Sequence, residues 1–257
     1  MTNVKLTLGY RGTHYAGSQR QSKHRNLNTI ESEIIRALFS LYGKPVKIVM
    51  AGRTDAGVHA EGQVLNYVAP TSIPIERVAR ALNRRLPSDI RIVGCEDVKS
   101  DFSARRSAVS REYKYLFSRQ TPPVYLQDFV APISFSPNLE ASGKIRDILL
   151  GEHDFSAFRN LGSAEKSTLR TVYDFELRSK NVQNLFTGDP FDYFEMRIRA
   201  NSFLYRMVRN IMGSLFEHLR GKRTVKEFAD QLVLARKVYP FTVAPACGLC
   251  LVRVEYP

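Results

Sequence analysis

The hydrophobic residues of this chain switch repeatedly between a repeat of two and a repeat of three to four, and that alternation restricts its fold more than any other feature. Val4, Leu6, Leu8 and Tyr10 recur at the period that returns strand side chains to one face. Further on, Ile30, Ile34, Ile35, Leu38 and Leu41 share one side of a helix, opened by a capping box over Asn28-Thr-Ile-Glu31 and closed at Gly43. Val46 to Met50 is short, apolar and β-branched and reads as a buried strand, and Gln63 to Val68 reads as the next. A helix from near Pro74 to before Pro87 and a strand over Ile90 to Val98 continue the series.

The chain turns polar and basic over Asp101 to Ser110 before a new strand pattern, Arg111 to Phe117, and a boundary is expected there, with lobes at 1–105 and 106–257. Thr121 to Pro137, rich in Pro and aromatics, predicts a connecting loop, and Pro137 to Leu150 a helix that stops at Gly151. Leu169 to Leu177 and Phe191 to Ala200 are strand candidates. Asn201 is placed to cap a long helix with Leu204, Val208, Ile211, Leu215 and Leu219 inward, ending at Gly221. Thr224-Val-Lys-Glu227 is a second capping box, and Gly248 to Tyr256 a closing strand. Both halves thus mix strands with helices, which predicts an α+β fold of two lobes.

Charge narrows the partners. A formal net charge of +13 and a pI near 9.8 favour a polyanion, because Lys and Arg release the counterions condensed on nucleic acid. Arg11 to Arg25 concentrates this charge: Arg11, His14, Arg20, Lys23, His24 and Arg25 occur there with no acidic residue, which predicts an exposed basic loop. No helix-turn-helix, zinc-finger or basic-zipper pattern points to duplex DNA. The first ten residues alternate instead of running apolar, so they read as strand and not as secretory signal. No apolar run has the length of a membrane span, and three cysteines, Cys95, Cys247 and Cys250, build no disulfide framework, so a reducing cytoplasm is expected. Cys247-Gly-Leu-Cys250 invites a metal reading, but residues three apart on a strand face opposite ways and no second pair of cysteines completes a zinc site.

The stretch Ala51-Gly-Arg-Thr-Asp-Ala-Gly-Val-His-Ala60 carries the most chemistry, with Arg53, Asp55 and His59 between two strands and with Gly52 and Gly57 free to adopt positive φ. Asp55 suits two roles, a turn former whose carboxylate caps backbone N–H groups, or a reactive carboxylate. Arg53, two residues before it, projects to the same side in an extended loop. His59 suits acid–base chemistry or a structural contact, the latter fitting the pattern better.

Gly52 to Ala60 with Gly62-Gln63-Val64 resembles the signature of the tRNA pseudouridine synthase A family. Four further stretches agree in the same order: Arg111-Glu-Tyr113, Gly151-Glu-His-Asp-Phe155, Phe203-Leu-Tyr-Arg-Met-Val-Arg209-Asn-Ile-Met-Gly213, and Ala244-Pro-Ala-Cys-Gly-Leu-Cys-Leu251 through Tyr256. The resemblance implies a pseudouridine synthase fold of two lobes with largely antiparallel sheets and a central active-site cleft. It implies isomerisation of uridine to pseudouridine at positions 38 to 40 of the tRNA anticodon stem-loop, without metal, nucleotide or redox cofactor, by a cytoplasmic homodimer. Asp55 matches the indispensable carboxylate, which attacks the ribose or the base or removes a proton from the sugar. Arg209 matches its charge partner, Tyr113 the tyrosine that stacks on the target base, Arg53 the cation that fills space left by the flipped nucleotide, and Leu249 an apolar wall. Taken alone, Tyr113 fits the core as well, and Arg209 and Arg53 fit a surface. Where the family usually carries Trp this chain has Ser18, and it contains no Trp at all. Competing readings are an RNA-binding protein or chaperone on the same scaffold, and a basic DNA-binding module.

Overall fold

The computed structural model describes residues 2–20, 28–71, 73–140, 142–160 and 167–257. They form two compact units, Met1–Val109 with Cys250–Pro257, and Ser110–Leu249.

In the first unit β1 (Asn3–Tyr10), α1 (Ile30–Tyr42), β2 (Ile48–Met50), β3 (His59–Val68), α2 (Ile75–Asn83) and β4 (Ile90–Val98) follow in order. β1 lies between β3 and β4, antiparallel to both, and β2 pairs antiparallel with β3. The alternation in β1 is realised, with Val4, Leu6, Leu8 and Tyr10 all buried. The capping box of α1 sits one residue later than its sequence suggests. Thr29 is the N-cap, its Oγ1 accepting the Ser32 N–H at 3.2 Å while Ser32 Oγ accepts the Thr29 N–H at 3.0 Å. Glu31 is engaged elsewhere, its carboxylate accepting the Arg20 N–H at 2.6 Å. The buried face of α1 runs through Ile30, Glu33, Ile34, Ala37, Leu38 and Tyr42, leaving Ile35 and Leu41 at its margin. β2 differs from the expected buried strand: Val49 is exposed and Ile48 and Met50 are half-buried, the strand pairing with Leu65–Tyr67 of β3.

The second unit contains β5 (Ser110–Ser118), β6 (Ala131–Pro132), α3 (Ser142–Leu149), β7 (Gly151–Asp154), β8 (Leu169–Gln183), β9 (Pro190–Ala200), α4 (Met207–Leu219) and α5 (Val225–Val233). β5, β9, β8 and β7 pair in that order, each pair antiparallel, and β6 adds parallel to β5. β8 runs past the predicted Leu177. Its polar extension pairs with β9 down to Gln183 opposite Pro190, and an exposed two-stranded hairpin carries no hydrophobic alternation to announce it. Asn201 does not cap α4. Its Oδ1 accepts the N–H groups of Thr171 and Ser202, at 3.1 and 2.7 Å, and the helix begins at Met207 after Arg206, whose φ is 60°. The box at Thr224 and Glu227 opens α5 as the sequence predicts.

β10 (Leu249–Glu255) closes the chain, pairing parallel with β3 through Cys250 opposite His59 and Leu251 opposite Ala60. The expected lobe boundary placed all of 106–257 together. The strand pairing instead returns Cys250–Pro257 to the first unit and moves the junction to Val109 and Ser110. The fold is α+β with mostly antiparallel strands, β10 with β3 and β5 with β6 being the parallel pairs described.

Candidate active site

Asp55 lies between β2 and β3 in a loop braced chiefly through its neighbour Thr54. The Thr54 N–H donates to Ser18 Oγ at 2.8 Å, its carbonyl accepts the Ser18 N–H at 3.0 Å, and its Oγ1 shares a 2.8 Å hydrogen bond with the Tyr10 hydroxyl. Burial pushes the Tyr10 phenol up to about 12, so it keeps its proton through the neutral range. Gln63, buried on β3, donates from Nε2 to the Gly52 carbonyl at 3.0 Å. The turn after Asp55 is closed by its own backbone carbonyl, which accepts the Val58 N–H at 3.2 Å, with Gly57 at φ 79°. Asp55 is half-buried and Arg53 exposed, with Thr54 buried between them.

Close approach of the 12–18 segment makes this bracing possible. Gly17 has φ 101°, and a Cβ there would stand 2.9 Å from the Thr54 carbonyl oxygen, so both its conformation and its contact require glycine. The segment is less exposed than its charge suggests. Tyr15 and Ser18 are buried, the Tyr15 hydroxyl donating to Asp89 at 2.7 Å, while Arg11 and Arg20 remain exposed. Lys23 and Arg25 lie outside the described residues. His59 is buried, its Nδ1 accepting the Gly12 N–H at 3.0 Å, a structural contact.

In the second unit, Arg209 stands in the first turn of α4, half-buried. Its Nε donates to the Ala244 carbonyl at 2.8 Å, and its own carbonyl accepts the Ala244 N–H at 3.1 Å. The backbone bond ties the first turn of α4 to the 242–244 segment, and the Nε bond anchors the guanidinium against the same residue. Gly213, one turn further, admits the same segment: a Cβ there would lie 2.0 Å from the Thr242 carbonyl oxygen. Asn210, fully buried, anchors the helix by donating from Nδ2 to the Phe158 carbonyl and to Asn160 Oδ1, both at 2.8 Å. Tyr113 on β5 is 8% exposed, and its ring meets Phe203 edge-on at 5.1 Å. Leu249 is 5% exposed. The three cysteines are free thiols, and burial raises Cys247 above its usual range. No cluster of three His, Cys, Asp or Glu side chains suited to a metal occurs among the described residues. Sequence reading missed Ser18, Tyr10, Thr54 and Asn210 as supports. Thr54, Gln63 and Asn210 do lie inside the motif stretches, which mark the segment without marking the contact each side chain makes.

A family model described as tRNA pseudouridine synthase matches residues 8–105 and 147–257. A protein of Acetivibrio thermocellus named tRNA pseudouridine synthase A is 39% identical over 257 residues, covering all of both chains. Proteins of the same name from Thermoanaerobacter sp. and Bacillus pumilus are 37% identical over all of both chains and 38% identical over 98% of each. The family match and these full-length relatives define an RNA-modifying isomerase. The chain belongs to the tRNA pseudouridine synthase family.

Proposed function

We propose that this protein converts uridine to pseudouridine at positions 38 to 40 of the tRNA anticodon stem-loop, with Asp55 as its reacting carboxylate. The bond between N1 and C1′ breaks, the uracil turns, and C5 bonds to C1′. The C5 hydrogen leaves to water and N1 gains a proton, so no electrons or groups are exchanged and the residues alone suffice. Thr54 carries this assignment: bonded through its N–H, its carbonyl and its hydroxyl, it fixes the backbone on which the carboxylate is mounted. Arg209 and Tyr113 keep the roles of charge partner and stacking face, Arg53 that of a cation exposed to the RNA, and Leu249 that of an apolar wall. The protein acts as a homodimer in the cytoplasm. No helix among the described residues is long and apolar enough to cross a membrane.

Mapping pseudouridine in tRNA from cells lacking the protein tests the activity and the target together. Loss of the modification at positions 38 to 40 alone is expected. Intact modification there would leave an RNA-binding protein or chaperone as the better account.

The basic segment yields a prediction about binding. Arg20 is exposed, and its Nε stands 4.0 Å from Glu31, a surface pair worth little. Phosphate can therefore compete for it. Replacing Arg20, Lys23 and Arg25 by Ala should weaken tRNA binding and reduce the slope of log K against log salt by roughly 2 to 3. An unchanged slope across a salt titration would exclude phosphate contacts in this segment.

A further inference from the structure

Ser18 is fully buried, 0% exposed, at the point where three pieces of the first unit meet. Its carbonyl accepts the Glu31 N–H at 2.9 Å and that of Gly17 the Ile30 N–H at 3.3 Å, so this dipeptide covers the otherwise unpaired N-terminus of α1. Its own N–H and hydroxyl turn the other way, onto the carbonyl and N–H of Thr54, at 3.0 and 2.8 Å. The Ser18–Thr54 pairing thus couples the start of α1 to the residue before Asp55. The two backbone groups of Thr54 differ in what they need. Any residue except proline at position 18 supplies an N–H for the carbonyl, but among the described residues the acceptor for the buried Thr54 N–H is the Ser18 side-chain oxygen.

We infer that Ser18 is a positioning residue for the reaction, its hydroxyl holding the Thr54–Asp55 peptide in the orientation that presents the carboxylate. The inference rests on the reading of Asp55 as the reacting group. Without the hydroxyl, the Thr54 N–H has to rotate toward water or remain unpaired, and either displaces the peptide that carries Asp55. Displacement of a reacting group lowers turnover more than it lowers affinity, because tRNA binding is spread over many phosphate contacts.

The test combines steady-state tritium release from tRNA labelled at C5 of uridine with thermal unfolding, for Ser18→Ala, Ser18→Cys and Ser18→Thr. Ser18→Ala should lower kcat about tenfold, equivalent to about 1.4 kcal/mol, with KM for tRNA within about twofold. Ser18→Cys, close in shape but a weak acceptor, should fall between Ala and wild type. Ser18→Thr keeps the hydroxyl but crowds a fully buried site. It should lower Tm while holding kcat within about threefold of wild type. A kcat for Ser18→Ala within about twofold of wild type would overturn the inference, as would kcat that simply follows Tm across the three variants. Asp55→Asn assayed alongside keeps the two claims apart. Turnover by Asp55→Asn would sink the reading of Asp55 and the inference with it, whereas an inert Asp55→Asn beside a fully active Ser18→Ala would sink the inference alone.

Discussion

Replacing Asp55 by Ala is expected to abolish tritium release from tRNA labelled at C5 of uridine, with kcat lower by on the order of 10⁴ or more. Affinity for tRNA should stay within about threefold, since one half-buried carboxylate adds little to an interaction dominated by phosphates. The fold should survive, because the turn after Asp55 is closed by a backbone carbonyl that alanine retains, and Thr54 keeps its bonds to Ser18 and Tyr10. Loss of turnover with retained binding and an unchanged circular dichroism spectrum would therefore locate the defect in the chemistry. Turnover like that of wild type would remove Asp55 from the mechanism.

The second large effect belongs to Gly213. Alanine in a helix interior normally gains about 1 kcal/mol over glycine. At this position the added Cβ would stand 2.0 Å from the Thr242 carbonyl oxygen, which is backbone and has no rotamer by which to retreat. The clash outweighs the helical gain, and Gly213→Ala should destabilise the protein by about 3 kcal/mol and lower Tm by roughly 6–12 °C. Because Thr242 leads directly to Ala244, whose carbonyl accepts from Arg209 Nε, activity assayed well below Tm should also fall about tenfold. An unchanged Tm would mean that the 242–244 segment yields freely, and that Arg209 is not held by it.

What the sequence made legible follows from which forces are local. β1, β4 and the box that opens α5 are encoded by residues that lie side by side along the chain, and the structure places them at the predicted positions. The family motifs around Asp55 and Arg209 marked residues that the structure seats in firmly held backbone. The misplacements concern side chains whose partner is distant in sequence. Asn201 has the chemistry of a helix cap but is claimed by Thr171 on β8. Glu31 has the spacing of a capping-box acid but is claimed by Arg20, which leaves Ser32 to complete the box. In the sequence Ser18 stands out only as the residue in place of the usual Trp. Its hydrogen bonds reach Thr54 across thirty-six positions of sequence, and no periodicity registers a contact of that kind.

The return of β10 to the first unit has a consequence for the order in which the protein is made. β3 has β1 beside it along most of its length and β2 beside its far end, but His59 and Ala60, where the Asp55 loop rejoins the sheet, pair with Cys250 and Leu251. Those partners leave the ribosome only after the whole of Ser110–Leu249. Until then the strand next to the reactive loop presents open hydrogen-bonding groups, a site at which a nascent chain can pair wrongly or be recognised by a chaperone. Maturation of the first unit thus waits on β10, and the carboxylate present early in translation acquires its finished setting only after the whole of Ser110–Leu249 has been made.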